Sequence, residues 1–200
     1  MKIFDISYCQ PVSIVPTLCK SGDGLIIRNG YMKKTDINFK AHFETAQQFT
    51  NSLGSYTFIM ANDSVEAAQE ADATVKRLNA YKANITMPIY LDMEHEKYMK
   101  KELREANTTI LMIELAALQM AGYNIGIYSN LNFISSYINL YELEYMYPAL
   151  SLWLADYRAR PYVPEYPVDI WQYGIEKIGN VSVDVNQCYV DFASRHKHFM

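Results

Sequence analysis

Cysteine is scarce in this chain: Cys9, Cys19 and Cys188 are an odd set of three in 200 residues, with no metal-ligand spacing. That argues against a disulfide framework and for buried or partly buried thiols. A Cys9–Cys188 pair is conceivable only if the first and last strands are neighbours. Glycine (8) and proline (7) are also few, and no repeat or flexible linker breaks the sequence. Neither charge sign dominates. Eighteen Lys and Arg against 22 Asp and Glu give a net charge of -4, without the basic footprint that nucleic acid requires. No run of eighteen apolar residues occurs, so no membrane insertion is expected. Met1-Lys2-Ile3-Phe4-Asp5 enters a strand pattern at once and leaves no room for a signal peptide, so synthesis is expected to end in the cytoplasm.

What the chain does have is a core and many aromatics. Half of its residues are hydrophobic and 17 are Tyr, enough for a single domain over residues 1–200. Strand patterns recur at 2–6, 25–28, 55–60, 88–92, 125–129, 151–155, 169–173 and 182–186. Helical spacing runs over 38–53 and 65–83, the latter behind an Asp63-Ser64 cap. A third helix is expected over 97–121, with Leu103, Ala106, Ile110, Ile113 and Ala117 inward and Gly122 ending it. Alternating strand and helix argues for parallel strands, and eight strands at this length for a barrel. Pro161, Pro164 and Pro167 leave no place for a crossover helix after residue 155, so the last strands are expected to be antiparallel. The expected fold is an irregular α/β barrel, helical early and all strand late.

Asp92-Met93-Glu94 follows the apolar run Met87-Pro88-Ile89-Tyr90-Leu91. Strand alternation sends Asp92 and Glu94 to one side. Paired acids of this kind keep one proton near neutral pH, and a proton donor beside an anion is what glycosidic cleavage requires. Barrel sites lie at the C-terminal strand ends. Asp5 closes the first strand, and Asp184 lies in the last, which closure brings beside the first. Four acids from three distant segments therefore converge on one mouth.

The ordered motifs resemble glycoside hydrolase family 25, the Chalaropsis-type lysozymes that include many bacteriophage endolysins. They are Phe4-Asp5-Ile6-Ser7, Leu25-Ile26-Ile27-Arg28-Asn29-Gly30, Gly54-Ser55-Tyr56-Thr57-Phe58, Tyr90-Leu91-Asp92-Met93-Glu94 and Ile127-Tyr128-Ser129. Leu152-Trp153-Leu154-Ala155-Asp156-Tyr157, Ile170-Trp171-Gln172-Tyr173 and Val183-Asp184-Val185-Asn186 complete the series. The resemblance implies a TIM-like barrel of five β/α units followed by three strands largely without helices. It implies a muramidase that cuts the β-1,4 bond between N-acetylmuramic acid and N-acetylglucosamine in bacterial peptidoglycan, in phage lysis or wall turnover. Glu94 would be the proton donor. Asp92 would stabilise charge or orient a substrate acetamido group, and Asp5 and Asp184 would line the same groove. One departure is visible: Thr57 stands where the family often carries His, on the opposite face from Tyr56.

Tyr56, Tyr128, Trp153 and Tyr157 are candidates for sugar contact, Tyr31 a weaker one, and Gln172 is expected to reach the groove while Trp171 packs. Arg28 is expected to form an ion pair, His95 to have at most a supporting role, and His42, His196 and His198 show no ligand spacing. Paired acids need no metal, so no metal or cofactor is expected. No separate wall-binding domain is expected, and action at the wall would follow release by a holin-type partner. The alternatives are a carbohydrate-binding module on the same scaffold, or a hydrolase of another acetamido-sugar polymer such as chitin.

Overall fold

The computed structural model describes residues 1–158 and 167–192; Pro161, Pro164, His196 and His198 lie outside them. Eight strands close into a barrel: β1 (Lys2–Ile6), β2 (Gly24–Tyr31), β4 (Leu53–Phe58), β5 (Ile89–Asp92), β6 (Ile125–Asn130), β7 (Ser151–Ala155), β8 (Ile170–Ile178) and β9 (Val181–Cys188). The short β3 (Lys34–Thr35) adds an antiparallel hairpin outside the ring, on β2. Helices α1 (Val15–Ser21), α2 (Phe39–Ala46), α3 (Ser64–Leu78) and α4 (Arg104–Met120) follow β1, β2, β4 and β5, and α5 (Leu131–Tyr137) with α6 (Leu140–Met146) follows β6. This is the expected arrangement of five β/α units and three further strands.

Both faces of the central strands are buried, so they read as continuous apolar runs. Alternate side chains of β1, β2, β5, β7 and β8 point inward, where Ile3, Ile26, Tyr90, Trp153 and Ile170 fill the barrel beneath its mouth. Phe4, Leu25, Ile27 and Leu91 face outward against Leu18, Phe43, Ala67 and Leu111 of the helices. Glycine is needed once inside: a Cβ on Gly126 would lie 2.5 Å from the Tyr90 ring. Asp63 caps α3, its Oδ1 accepting the Val65 and Glu66 N–H groups at 2.9 Å, which satisfies two of the donors a helix start leaves open.

Four expectations are corrected. The β7–β8 pair is parallel, Trp153 opposite Ile170; the fourteen-residue connection 156–169 (169 − 156 + 1) is long enough for a crossover. Only β9 in the ring runs antiparallel, to β8 and to β1. The helix expected from residue 38 to 53 ends at Ala46, because Leu53 already opens β4. The helix expected from residue 97 begins at Arg104, after 3₁₀ turns at Glu96–Tyr98 and Lys101–Leu103. Its buried face carries Asn107, Ile110, Leu111, Glu114, Leu115 and Leu118 and leaves Ala106 exposed. Asn107 is inward because its amide donates to the Tyr98 and Tyr137 carbonyls, at 3.0 and 2.9 Å.

No disulfide joins the cysteines, so the Cys9–Cys188 pair does not form; Cys19 and Cys188 are buried as expected, whereas Cys9 is exposed. Although β1 and β9 are neighbours, the antiparallel register puts Cys188 beside Met1, its N–H donating to the Met1 carbonyl at 2.8 Å. Cys9 lies beyond the opposite end of β1. Among the described residues, no helix is long and apolar enough to cross a membrane.

Candidate active site

The C-terminal strand ends surround a cavity of about 330 Å³ lined by Asp5, Asp92, Glu94 and Asp184, with Tyr56, Tyr128, Trp153, Tyr157 and Gln172. Asp5 on β1 stands directly opposite Asp184 on β9 in the strand register. Asp92 is the last residue of β5, and Glu94 follows two residues on, to the same side. The alternation of side chains thus places all four acids at one opening.

Their surroundings differ. Asp92 is only 4% exposed, and its Oδ1 is buried without a hydrogen-bond partner. Burial, then the charges of Glu94 and Asp5, push its carboxyl well above the usual range, against a weaker opposite pull from Arg28. Glu94 keeps an open edge to solvent; partial desolvation by the cavity walls and then Asp184 raise its carboxyl. Asp5 is pushed up to about 7, first by burial and then by Asp184, with hydrogen bonds from Asn186 and Gln172 opposing and Glu94 adding to the rise. Desolvation also raises half-buried Asp184.

A relay of neutral donors holds Asp5. Asn186 Nδ2 and Gln172 Nε2 donate to its Oδ2 at 2.8 and 3.0 Å. The Tyr128 and Tyr157 hydroxyls donate to Gln172 Oε1 at 2.9 and 2.6 Å. Trp153 Nε1 donates to Asn186 Oδ1 at 2.8 Å. Gln172 is therefore in the groove, tied to two of the tyrosines, while Trp171 packs with its Nε1 donating to the Asp156 carbonyl. Trp153 is 1% exposed and meets Tyr56, Tyr90 and Tyr128 at ring separations of 6.0, 5.2 and 4.4 Å. It is the floor of the cavity. Tyr157 is the open aromatic face, 57% exposed.

Tyr31 lies elsewhere, in a neighbouring cavity with Arg28 and His95. Arg28 forms its ion pair with Asp36, at 2.8 Å. Thr57 faces away from the mouth, its hydroxyl donating to Asn29 Oδ1 at 3.1 Å, so the exchange for His leaves the groove untouched. Sequence reasoning missed Asn130, which lines the cavity, and Asn186, which is buried behind it and holds Asp5. The signal for Asn186 was available, two residues beyond Asp184 and hence on the same strand face. Among the described residues, no group of three His, Cys, Asp or Glu side chains is arranged to hold a metal ion.

A closed barrel with two neighbouring raised carboxyls, one open and one buried, and polar sugar-sized walls at its C-terminal mouth defines a glycosidase-type site. The chain belongs to glycoside hydrolase family 25, the muramidase and lysozyme family: the profile for Glycosyl hydrolases family 25 matches residues 21–179. Asp5 and Asp184 lie outside that segment, and barrel closure joins them to it. No curated protein matches the chain by sequence.

Solved structures match the fold. The catalytic domain of endolysin ply40, from bacteriophage P40 of Listeria monocytogenes, is 20% identical with a TM-score of 0.74, over 98% of this chain and 97% of that one. A muramidase from Acremonium alcalophilum gives the same identity and score, over 98% and 96%. The modular autolysin LytC from Streptococcus pneumoniae, in complex with a synthetic peptidoglycan ligand, is 23% identical with a TM-score of 0.71. That match covers 92% of this chain, which spans only 46% of the autolysin's length.

Proposed function

We propose that this protein is a peptidoglycan muramidase, hydrolysing the β-1,4 bond between N-acetylmuramic acid and N-acetylglucosamine in phage lysis or bacterial wall turnover. The observation that carries the reading is the pairing of open Glu94, its carboxyl raised by partial desolvation and then by Asp184, with buried Asp92 on one side of the β5 end, facing Asp5 and Asp184. Glu94 transfers its proton to the glycosidic oxygen as the bond to the anomeric carbon breaks. Water then adds at that carbon, leaving a new reducing end on N-acetylmuramic acid and returning a proton to Glu94. Asp92, with an unsatisfied oxygen, accepts the N–H of the substrate acetamido group or faces the positive charge that develops at the anomeric carbon. Asp184 adds to the rise of the Glu94 carboxyl, and Asp5 stands opposite Asp184 in the strand register.

The test is mass spectrometry of fragments released from purified peptidoglycan by the wild type and by Glu94→Gln. Glu94 is at the open rim, so the variant keeps the fold. We expect reducing N-acetylmuramic acid ends from the wild type and a loss of about 100-fold or more in the variant, the usual worth of a general acid. Intact glycan with both proteins would instead favour a sugar-binding module, and equal cleavage by both would move the proton donor to another residue.

A further inference from the structure

A second and larger cavity, about 500 Å³, opens on the same mouth over the ends of β1, β2, β4 and β5. Tyr8, Arg28, Tyr31, Lys34, Phe58 and His95 line it. The two cavities share a wall. Glu94 faces one and its neighbour His95 the other, and Arg28 pairs in register with Tyr56 of the acidic cavity. Adjacent strands lie about 4.8 Å apart, so the step between them is about one strand.

The charge in the second cavity is of the opposite kind. Asp36 is already saturated: its Oδ2 accepts the Tyr8 N–H and Arg28 Nε, and its Oδ1 accepts the Asn38 N–H. That grip fixes the guanidinium, stacked 4.7 Å from the Tyr8 ring centre, while its terminal nitrogens make no hydrogen bond among the described residues. Exposed Lys34 adds a second cation, its Nζ 5.5 Å from the centre of the Tyr31 ring. An oriented guanidinium edge and an ammonium among aromatic rings suit a carboxylate-bearing chain with apolar side groups. Such a chain would be repelled by the four acids next door.

In peptidoglycan, the substituent of that chemistry is the peptide amide-linked to the lactyl ether of muramic acid. Building on the muramidase reading, we propose that the second cavity receives this peptide beside the bond being cut. Arg28 and Lys34 meet its carboxylates, and Tyr8, Tyr31 and Phe58 meet its apolar groups. The acidic cavity then cuts while its neighbour sets which muramic acid is presented.

The experiment compares glycan oligosaccharides bearing tetrapeptides with the same oligosaccharides stripped by an amidase, which exposes the lactyl carboxylate. Binding is measured by calorimetry to Glu94→Gln, so that turnover does not intervene, and again after adding Lys34→Glu or Tyr31→Ala, both at solvent-accessible positions. The peptide-bearing form is expected to bind more tightly, and Lys34→Glu to cut that preference about tenfold, the scale of one charge-assisted hydrogen bond. Equal affinity for the two forms, or a preference that neither added substitution moves, overturns the proposal. Tighter binding of the stripped form also overturns it, and identifies the lactyl carboxylate as the occupant. Cleavage of both substrates by the wild type tests the muramidase reading separately.

Discussion

Asp92 and Glu94 are two residues apart and differ in nearly every physical respect. One is sealed beneath the mouth with an unsatisfied oxygen, and the other stands at its rim. Because Asp184 contributes to the raised carboxyl of Glu94, its removal has a definite sign. In Asp184→Asn the negative charge that opposes ionisation of Glu94 is gone, so Glu94 loses its proton at lower pH. We expect the alkaline limb of the kcat/KM profile on peptidoglycan to move to lower pH, as read from initial rates across pH. An unmoved limb would mean that another group sets it. The four acids and Gln172 were legible from strand ends and side-chain alternation. Asn186 was not singled out because an amide carries no titratable signature, although it donates the shorter of the two hydrogen bonds to Asp5. Tyr31 was placed near the groove because it follows a barrel strand, but the β2–β3 hairpin turns it into the neighbouring cavity.

Strands were more legible than helix ends. Apolar runs such as Ile89–Leu91 read readily as buried strand, whereas the first turn of α4 points Asn107 inward to the Tyr98 and Tyr137 carbonyls, 9 and 30 residues away. Apolar periodicity cannot see a polar residue that is wanted inside. The same blindness hid Glu114, which is buried on that face with neither oxygen hydrogen-bonded. In β6, Gly126 packs directly against the floor of the site. Gly126→Ala would put a methyl group 2.5 Å from the Tyr90 ring, whose hydroxyl is held by Ser151 at 2.9 Å. The ring cannot swing aside without losing that bond, so we expect a loss of about 1–3 kcal/mol, the usual cost of overpacking. Urea denaturation would measure it. A variant as stable as the wild type would show that the floor of the site yields easily.

For the molecule as a whole, gathering raised carboxyls at one mouth ties stability to pH. Folded Asp5 keeps its proton to about pH 7, whereas the same side chain in an unfolded chain ionises near pH 4. Between those values the folded state holds the extra proton, so stability falls as pH rises through that window and levels off above it. Asp92, Glu94 and Asp184, all raised, act in the same direction. Melting temperatures taken from pH 4 to pH 8 should decline for the wild type, and less steeply for Asp5→Asn. Parallel declines would remove Asp5 as a source.

The pairing of β1 with β9 that closes the barrel also sets a schedule. The hydrogen bond from Asn186 to Asp5 joins residues 181 apart, and contacts of such span form late because so much chain must first be confined. During synthesis, a chain still held by the ribosome can present Asp92 and Glu94 long before Asp184 and Asn186 emerge to flank Asp5. Until that last strand docks, Glu94 lacks the Asp184 charge that helps to raise its carboxyl, and the acidic mouth is incomplete.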